Sequence, residues 1–287
     1  MKYLLFTFIS VWIFGGIAIC NGSLGGTPTL CMLMPTLGVL LVKADIKGMG
    51  WRLRFGRNWK YIAIAYFAPT VFQFIGAVFY YLVFPDDFAP AEAFQRFMPP
   101  EEYEEFVQNG SPYAAFIAED ILDNLNPFFT IMTVFLALGE EIGWRGFMYP
   151  ELKDGCGRTK GLLIGGVIHG TWHFPAMIIF GFEYGKDYIG APLLGLVVFC
   201  FYTVAMGIVA DFLYVKSGSI WLPAIFHAMI NSEFSPRMVL GNSHPECSIF
   251  GPVDIGIIGM LPMAAVAVFL LWYQHKRERM EIEEYVS

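Results

Sequence analysis

Apolar residues along the chain are grouped in blocks separated by shorter polar stretches. A helix needs about 20 apolar residues to cross a bilayer core of about 30 Å, and most blocks approach that length. The blocks predict eight spans, at 3–20, 28–43, 60–84, 127–152, 161–181, 190–215, 219–234 and 252–274, of which the second and seventh are short. We therefore expect an all-α, polytopic membrane protein of about eight transmembrane helices around a central cavity. Residues 1–287 would form a single membrane domain.

Composition supports the membrane class. Hydrophobic residues make up 56% of the chain and charged residues only 15%, whereas a soluble domain carries about a quarter charged residues. Five scattered cysteines without a C-x-x-C pair indicate neither a zinc site nor a disulfide framework. Ile19 stands where a lipobox before Cys20 needs a small residue, so we expect the first helix to be retained.

Positive charges are distributed unequally between the loops. With eight spans, both termini and every second loop lie on one side of the membrane. That side receives Lys2, Lys43, Lys47, Arg52, Arg54, Arg57, Lys60, Lys153, Arg158, Lys160, Lys216, Lys276, Arg277 and Arg279. The opposite loops hold only Arg96, Lys186 and Arg237. The bias predicts a cell-membrane protein with both termini in the cytoplasm.

Two polar stretches lie between the spans. Residues 44–59 are basic and contain Trp51 and Trp59, which predicts an interfacial loop or short helix against anionic headgroups, or an ordinary positive-inside loop. Residues 85–126 form an acidic extracytoplasmic segment, expected to be a solvated cap or a cap that contacts substrate. Its acidic residues include Asp86, Asp87, Glu92, Glu101, Glu102, Glu104 and Glu105.

The fourth predicted span contains two adjacent glutamates, Glu140 and Glu141. Neighbouring residues on a helix point about 100° apart, so the two cannot share a face. Glu141 lies four residues before Arg145, which predicts an ion pair on one face. Glu140 is expected to remain free beside Gly139, where a neighbouring helix can approach. A free carboxyl in a cavity could act as a general base or acid.

Histidines enter two more spans at helical spacing. His169 and His173 are four residues apart in the fifth span, and His227 and Asn231 in the seventh. At about 1.5 Å per residue, four polar residues lie roughly 12–18 Å from the cytoplasmic ends of their spans. They are Glu140, His173, His227 and Asn231. We therefore expect one layer of polar groups in a cavity open to the cytoplasmic side. A carboxylate and a histidine can deprotonate a water, while a second histidine and an amide can stabilise an oxyanion, which suits hydrolysis of a peptide bond.

The motifs E-E-x-x-x-R at 140–145, a histidine in the next span and H-x-x-x-N at 227–231 resemble the CPBP (ABI) family. Their order is most similar to the Ras-converting type II CAAX prenyl endopeptidase branch. The motif core covers about residues 120–240. The resemblance implies a glutamate-dependent intramembrane protease that removes the C-terminal aaX tripeptide from prenylated CAAX proteins. It implies neither a cofactor nor a nucleic-acid partner; its partners are the substrate and the lipid bilayer.

The resemblance also implies roles for individual residues. Glu140 with His173 would activate the water, His227 and Asn231 would stabilise the oxyanion, and Glu141 with Arg145 would support the site. No residues are assigned to substrate binding. One position departs from the family pattern, which usually reads F-x-x-x-H: His169 stands where phenylalanine is expected.

Three alternatives stay open. His169, His173 and His227, with Glu140, could hold zinc in a membrane metalloprotease, although the H-E-x-x-H motif is absent. A transporter could use the same groups as a proton relay, although no inverted repeat is visible. In a non-catalytic scaffold, the polar groups would only pair with one another and join helices.

Overall fold

The computed structural model describes residues 1–22, 25–89, 100–108, 127–231 and 244–286, and every regular element in these ranges is helical. The α-helices are α1 (Lys2–Asn21), α2 (Thr27–Cys31), α3 (Met34–Leu41), α4 (Phe55–Val83), α5 (Pro100–Gln108), α6 (Pro127–Gly143), α7 (Tyr149–Cys156), α8 (Arg158–Trp172), α9 (Phe174–Phe180), α10 (Leu193–Ser217), α11 (Trp221–Ile230) and α12 (Leu261–Val286).

Within the described ranges, four helical stretches are long and apolar enough to cross a membrane: α1, α4, α8 with α9, and α10. Two shorter apolar stretches, Thr27–Leu41 and Trp221–Ile230, match the two short predicted spans. Large apolar side chains such as Leu82 and Phe201 are exposed on the outer faces of the long helices, where lipid would cover them. The all-helical membrane fold is therefore confirmed, whereas the count of eight spans stays a prediction.

Several predicted boundaries are wrong. The second span is two helices, α2 and α3, each with a proline in its first turn, a position at which the missing N–H costs nothing. The last helix begins at Leu261 instead of 252, because the residues before it fold back in an irregular segment. Helix α4 begins at Phe55, so part of the predicted 44–59 loop is helical. Hydropathy marks the apolar part of a helix and misses a polar first turn.

The fourth predicted span widens immediately after its glutamates. Helix α6 passes into a π-helical turn, Trp144–Met148, and then into α7. Pro150 explains the widening, because it lacks an N–H and its ring crowds the carbonyl of Gly146, four residues earlier. Such turns are often found at functional sites.

Helix α6 packs against α3 and α11, and α8 packs against α10. The contact with the α2–α3 segment depends on Gly139, where an added Cβ would lie 2.7 Å from the carbonyl oxygen of Met32. Thr36 Oγ1 also donates a hydrogen bond of 2.6 Å to the Gly139 carbonyl. A neighbouring segment does approach closely at Gly139, as the sequence indicated, and this contact places α6 beside its neighbours.

The acidic segment 85–126 is described only at 85–89 and 100–108; the rest lies outside the described residues. Asp87 is not solvated, since only 1% of it is exposed. Its carboxylate accepts hydrogen bonds from the Tyr80 hydroxyl and from the backbone N–H of His244, the latter at 2.9 Å. At this residue the acidic segment ties the end of α4 to the chain before α12.

Candidate active site

Glu141 is the centre of a buried ion pair. Its Oε1 accepts a hydrogen bond from Arg145 Nη1 at 2.7 Å, and neither side chain has any exposed surface. The same oxygen lies 2.8 Å from His227 Nδ1 on α11. Glu141 therefore links the predicted supporting pair to one of the predicted catalytic histidines, a link that spacing within α6 does not reveal.

Glu140 is not free, and that prediction is wrong. Its Oε2 accepts a hydrogen bond of 2.9 Å from Trp144 Nε1, one turn further along the helix. The same oxygen lies 3.2 Å from His169 Nε2 on α8. Only charged residues near Glu140 entered the prediction, and the indole N–H of Trp144 was overlooked. A tryptophan side chain buries its apolar ring and still donates a hydrogen bond through this N–H.

His173 lies at the break between α8 and α9. Its Nδ1 is 3.1 Å from the carbonyl oxygen of His169, and the two rings are 5.3 Å apart. A carbonyl oxygen can only accept, so Nδ1 carries the proton and Nε2 of the neutral ring keeps a lone pair. His173 can therefore accept a proton at Nε2.

His227 and Asn231 lie at the C-terminal end of α11. His227 Nδ1 faces the Glu141 carboxylate, which can only accept, so this nitrogen also carries a proton. Its Nε2 is a donor only when the ring is an imidazolium. Asn231 directly follows the last residue of α11, is exposed, and donates its backbone N–H to the His227 carbonyl at 3.0 Å.

One cavity of about 490 Å³ brings the predicted reacting residues together. Its lining includes Glu140, His169, His173, His227 and Asn231. The pair formed by Glu141 and Arg145 is not part of this lining and lies behind it. Apolar side chains supply much of the remaining wall, among them Phe180, Phe182, Phe199, Met206, Ile230 and Val253.

Several polar groups at or near the site were not predicted from the sequence. Gln73 and Asp254 also line the cavity, and the Tyr202 hydroxyl donates to Asp254 over 3.4 Å. Asp211 is buried in α10 and pairs with Lys153 at 2.5 Å. Both aspartates fall inside predicted spans, so an ionisable residue in an apolar block was the signal that could have found them.

The zinc alternative needs at least three ligands around one point. Among the residues that the structure describes, no group of three or more His, Cys, Asp or Glu side chains is arranged to hold a metal ion. His169 and His227 have ring centroids 6.1 Å apart, and each of these histidines contacts a different glutamate.

Comparison with known proteins concerns the same part of the chain. Residues 123–232 match the family model described as Rce1-like, type II CAAX prenyl endopeptidase Rce1-like. Over these residues the chain is similar to the Rce1-like family. A curated relative, the "CAAX prenyl protease 2" of Methanococcus maripaludis, is 29% identical over 101 residues. That match covers 35% of this chain and 37% of the relative. The Rce1-like segment contains all six predicted catalytic and supporting residues, together with His169.

Proposed function

We propose that the protein is an intramembrane endopeptidase that uses Glu140 to hydrolyse a peptide bond. The observation that carries this proposal is that four predicted reacting residues line one cavity: Glu140, His173, His227 and Asn231. The Rce1-like match over the same residues supports a protease. Neither a transport path nor a purely structural role needs three kinds of polar group around one space.

Water activation is assigned to Glu140 and His173. Glu140 lines the cavity, where its carboxylate can meet a water. His173 offers the Nε2 lone pair, since its Nδ1 proton is directed to a backbone carbonyl. A proton passes from the water to the pair of residues Glu140 and His173, while the water oxygen bonds to the peptide carbonyl carbon. The proton is then delivered to the departing nitrogen as the C–N bond breaks.

Oxyanion stabilisation is assigned to His227 and Asn231. The carboxylate of Glu141 accepts the Nδ1 proton of His227 and so fixes the orientation of the ring. In its imidazolium form the ring would donate its Nε2–H to the oxyanion. The Asn231 amide is a second donor at the same cavity. Preorganised donors of this kind stabilise a tetrahedral intermediate more than the substrate itself.

For the substrate we propose a prenylated CAAX protein that loses its C-terminal aaX tripeptide. The relative named as a CAAX prenyl protease and the apolar walls of the cavity support this class. The proposal includes eight spans, cytoplasmic termini and a site open to the cytoplasm, as the charge bias predicts. It includes no metal and no cofactor.

The test is cleavage of a farnesylated CAAX peptide by the purified full-length protein in detergent, beside an unprenylated peptide of the same sequence. We expect release of the tripeptide from the farnesylated peptide only, and none with Glu140→Gln. Unchanged cleavage by Glu140→Gln would refute the mechanism. A chelator arm addresses the zinc alternative: loss of activity on chelation, restored by zinc, would establish that alternative instead.

A further inference from the structure

His169 has no role in the mechanism above, although it contacts both residues assigned to water activation. We propose that His169 is a positioning residue whose Nε2–H holds the Glu140 carboxylate so that its second oxygen faces the water. This inference rests on the proposed function, because positioning is meaningful only if Glu140 reacts.

The two carboxylate oxygens of Glu140 have different surroundings. Oε2 lies 2.9 Å from Trp144 Nε1 and 3.2 Å from His169 Nε2. Among the described residues, no hydrogen bond engages Oε1. Two donors on one oxygen fix the rotation of the carboxylate, and they come from different helices. The geometry therefore divides the carboxylate into a held oxygen and a reacting oxygen.

The ring proton of His169 is on Nε2, the nitrogen that faces Glu140. Both contacts of Oε2 are to nitrogen, and an ionised carboxylate only accepts, so the Nε2 of His169 carries a proton. Its Nδ1 is buried and finds no partner among the described residues, as expected for the lone-pair nitrogen of a neutral ring. Only 1% of His169 is exposed, and its ring lies 5.0 Å from the Trp144 ring. Burial and packing thus hold the ring in the donating orientation.

His169 also contacts His173, the other residue assigned to water activation, through its backbone. Its backbone carbonyl accepts the Nδ1 proton of His173, and any residue at this position supplies that carbonyl. Substitution of the His169 side chain should therefore affect Glu140 while leaving the orientation of His173 intact. This separation makes the proposal testable by side-chain variants alone.

Three variants separate the donated hydrogen bond from ring packing. His169→Phe keeps a ring and loses the donor. His169→Gln keeps an N–H donor at a similar reach, and His169→Asn carries the same amide one methylene shorter. His275, exposed on α12, provides the matched control His275→Phe. A hydrogen bond to a charged group contributes enough that its loss should lower kcat about 10- to 100-fold.

Steady-state cleavage of the farnesylated peptide, with thermal unfolding of each variant in detergent, tests the proposal. We expect His169→Phe to lose kcat by that factor with KM changed less than about threefold, and His169→Gln to recover at least about fivefold relative to both Phe and Asn. Wild-type kcat in His169→Phe, or equal losses in Gln and Asn, would overturn the positioning role alone. If Phe folds poorly, the Gln–Asn comparison decides. Absence of cleavage by the wild type would overturn both this inference and the proposed function.

Discussion

Replacing Arg145 with methionine should separate the stability of this site from its activity. Arg145 and Glu141 are both fully buried and 2.7 Å apart. Methionine keeps much of the length of the arginine stem and removes the guanidinium. Glu141 would then face only the His227 imidazole, and the stacking of the guanidinium over the Tyr149 ring at 5.0 Å would also be lost.

The magnitude follows from the burial. Breaking a buried ion pair by removing one partner costs about 3–5 kcal/mol, because the remaining charge stays out of water. We therefore expect Arg145→Met to lower the free energy of unfolding by about that amount. Adding Glu141→Gln removes the stranded charge, and replacement of both charges is often nearly neutral. The double variant should therefore lie within about 2 kcal/mol of the wild type.

Activity should not return with stability. In the double variant His227 Nδ1 faces a neutral amide, which holds the ring by a weaker hydrogen bond than a carboxylate does. We expect kcat to remain at least about tenfold below the wild type, since an oxyanion donor would be weakened. The stable double variant would then be a folded protein with an impaired oxyanion site.

Unfolding in mixed micelles and cleavage of the farnesylated peptide would measure the two effects. Arg57, exposed in the first turns of α4, offers the matched control Arg57→Met, expected to change stability by less than about 0.5 kcal/mol. If the double variant were as unstable as Arg145→Met, the unpaired Glu141 charge could not be the cause of the lost stability. Full activity in the double variant would contradict the role given to the Glu141–His227 contact.

Three further predictions address the remaining parts of the site. Glu140→Gln and His173→Ala should abolish peptide cleavage while thermal unfolding in detergent stays close to that of the wild type; a collapsed unfolding transition would instead indicate a structural role. Asn231→Ala should lower kcat about 10²–10³-fold with little change in KM, and a loss confined to KM would point to substrate binding. Gly139→Ala should destabilise the fold by about 1–3 kcal/mol through its clash at 2.7 Å with Met32, whereas Gly155→Ala, with open space around it, should not.

The sequence was sufficient for the all-helical class and for four residues that line one cavity. Long apolar blocks require helices in a membrane, and polar groups inside them are costly enough that their positions are informative. Depth along each span predicted that Glu140, His173, His227 and Asn231 share a layer, and all four line one cavity. The prediction succeeded because the rise of a helix is nearly constant, so a residue number converts directly into a depth.

Contacts between helices could not be predicted in the same way. Depth says nothing about which face of α8 meets α6. Glu140 was therefore expected to remain free, whereas it contacts His169. Local breaks were missed because they depend on proline and on tertiary packing. His173 lies at such a break, where its backbone N–H donates to the carbonyl of Gly170, three residues earlier.

The two adjacent glutamates illustrate how one turn of sequence can supply two different carboxylates. Because consecutive residues on a helix point about 100° apart, Glu141 reaches Arg145 and α11, while Glu140 reaches Trp144 and α8. Glu141 is paired with the positively charged guanidinium of Arg145 and lies outside the cavity lining. Both features suit a carboxylate that stays ionised and holds a histidine. Glu140 receives two hydrogen bonds from N–H groups and lines the cavity, so one of its oxygens stays available for a proton. The division of labour therefore follows from which neighbour each face of α6 meets.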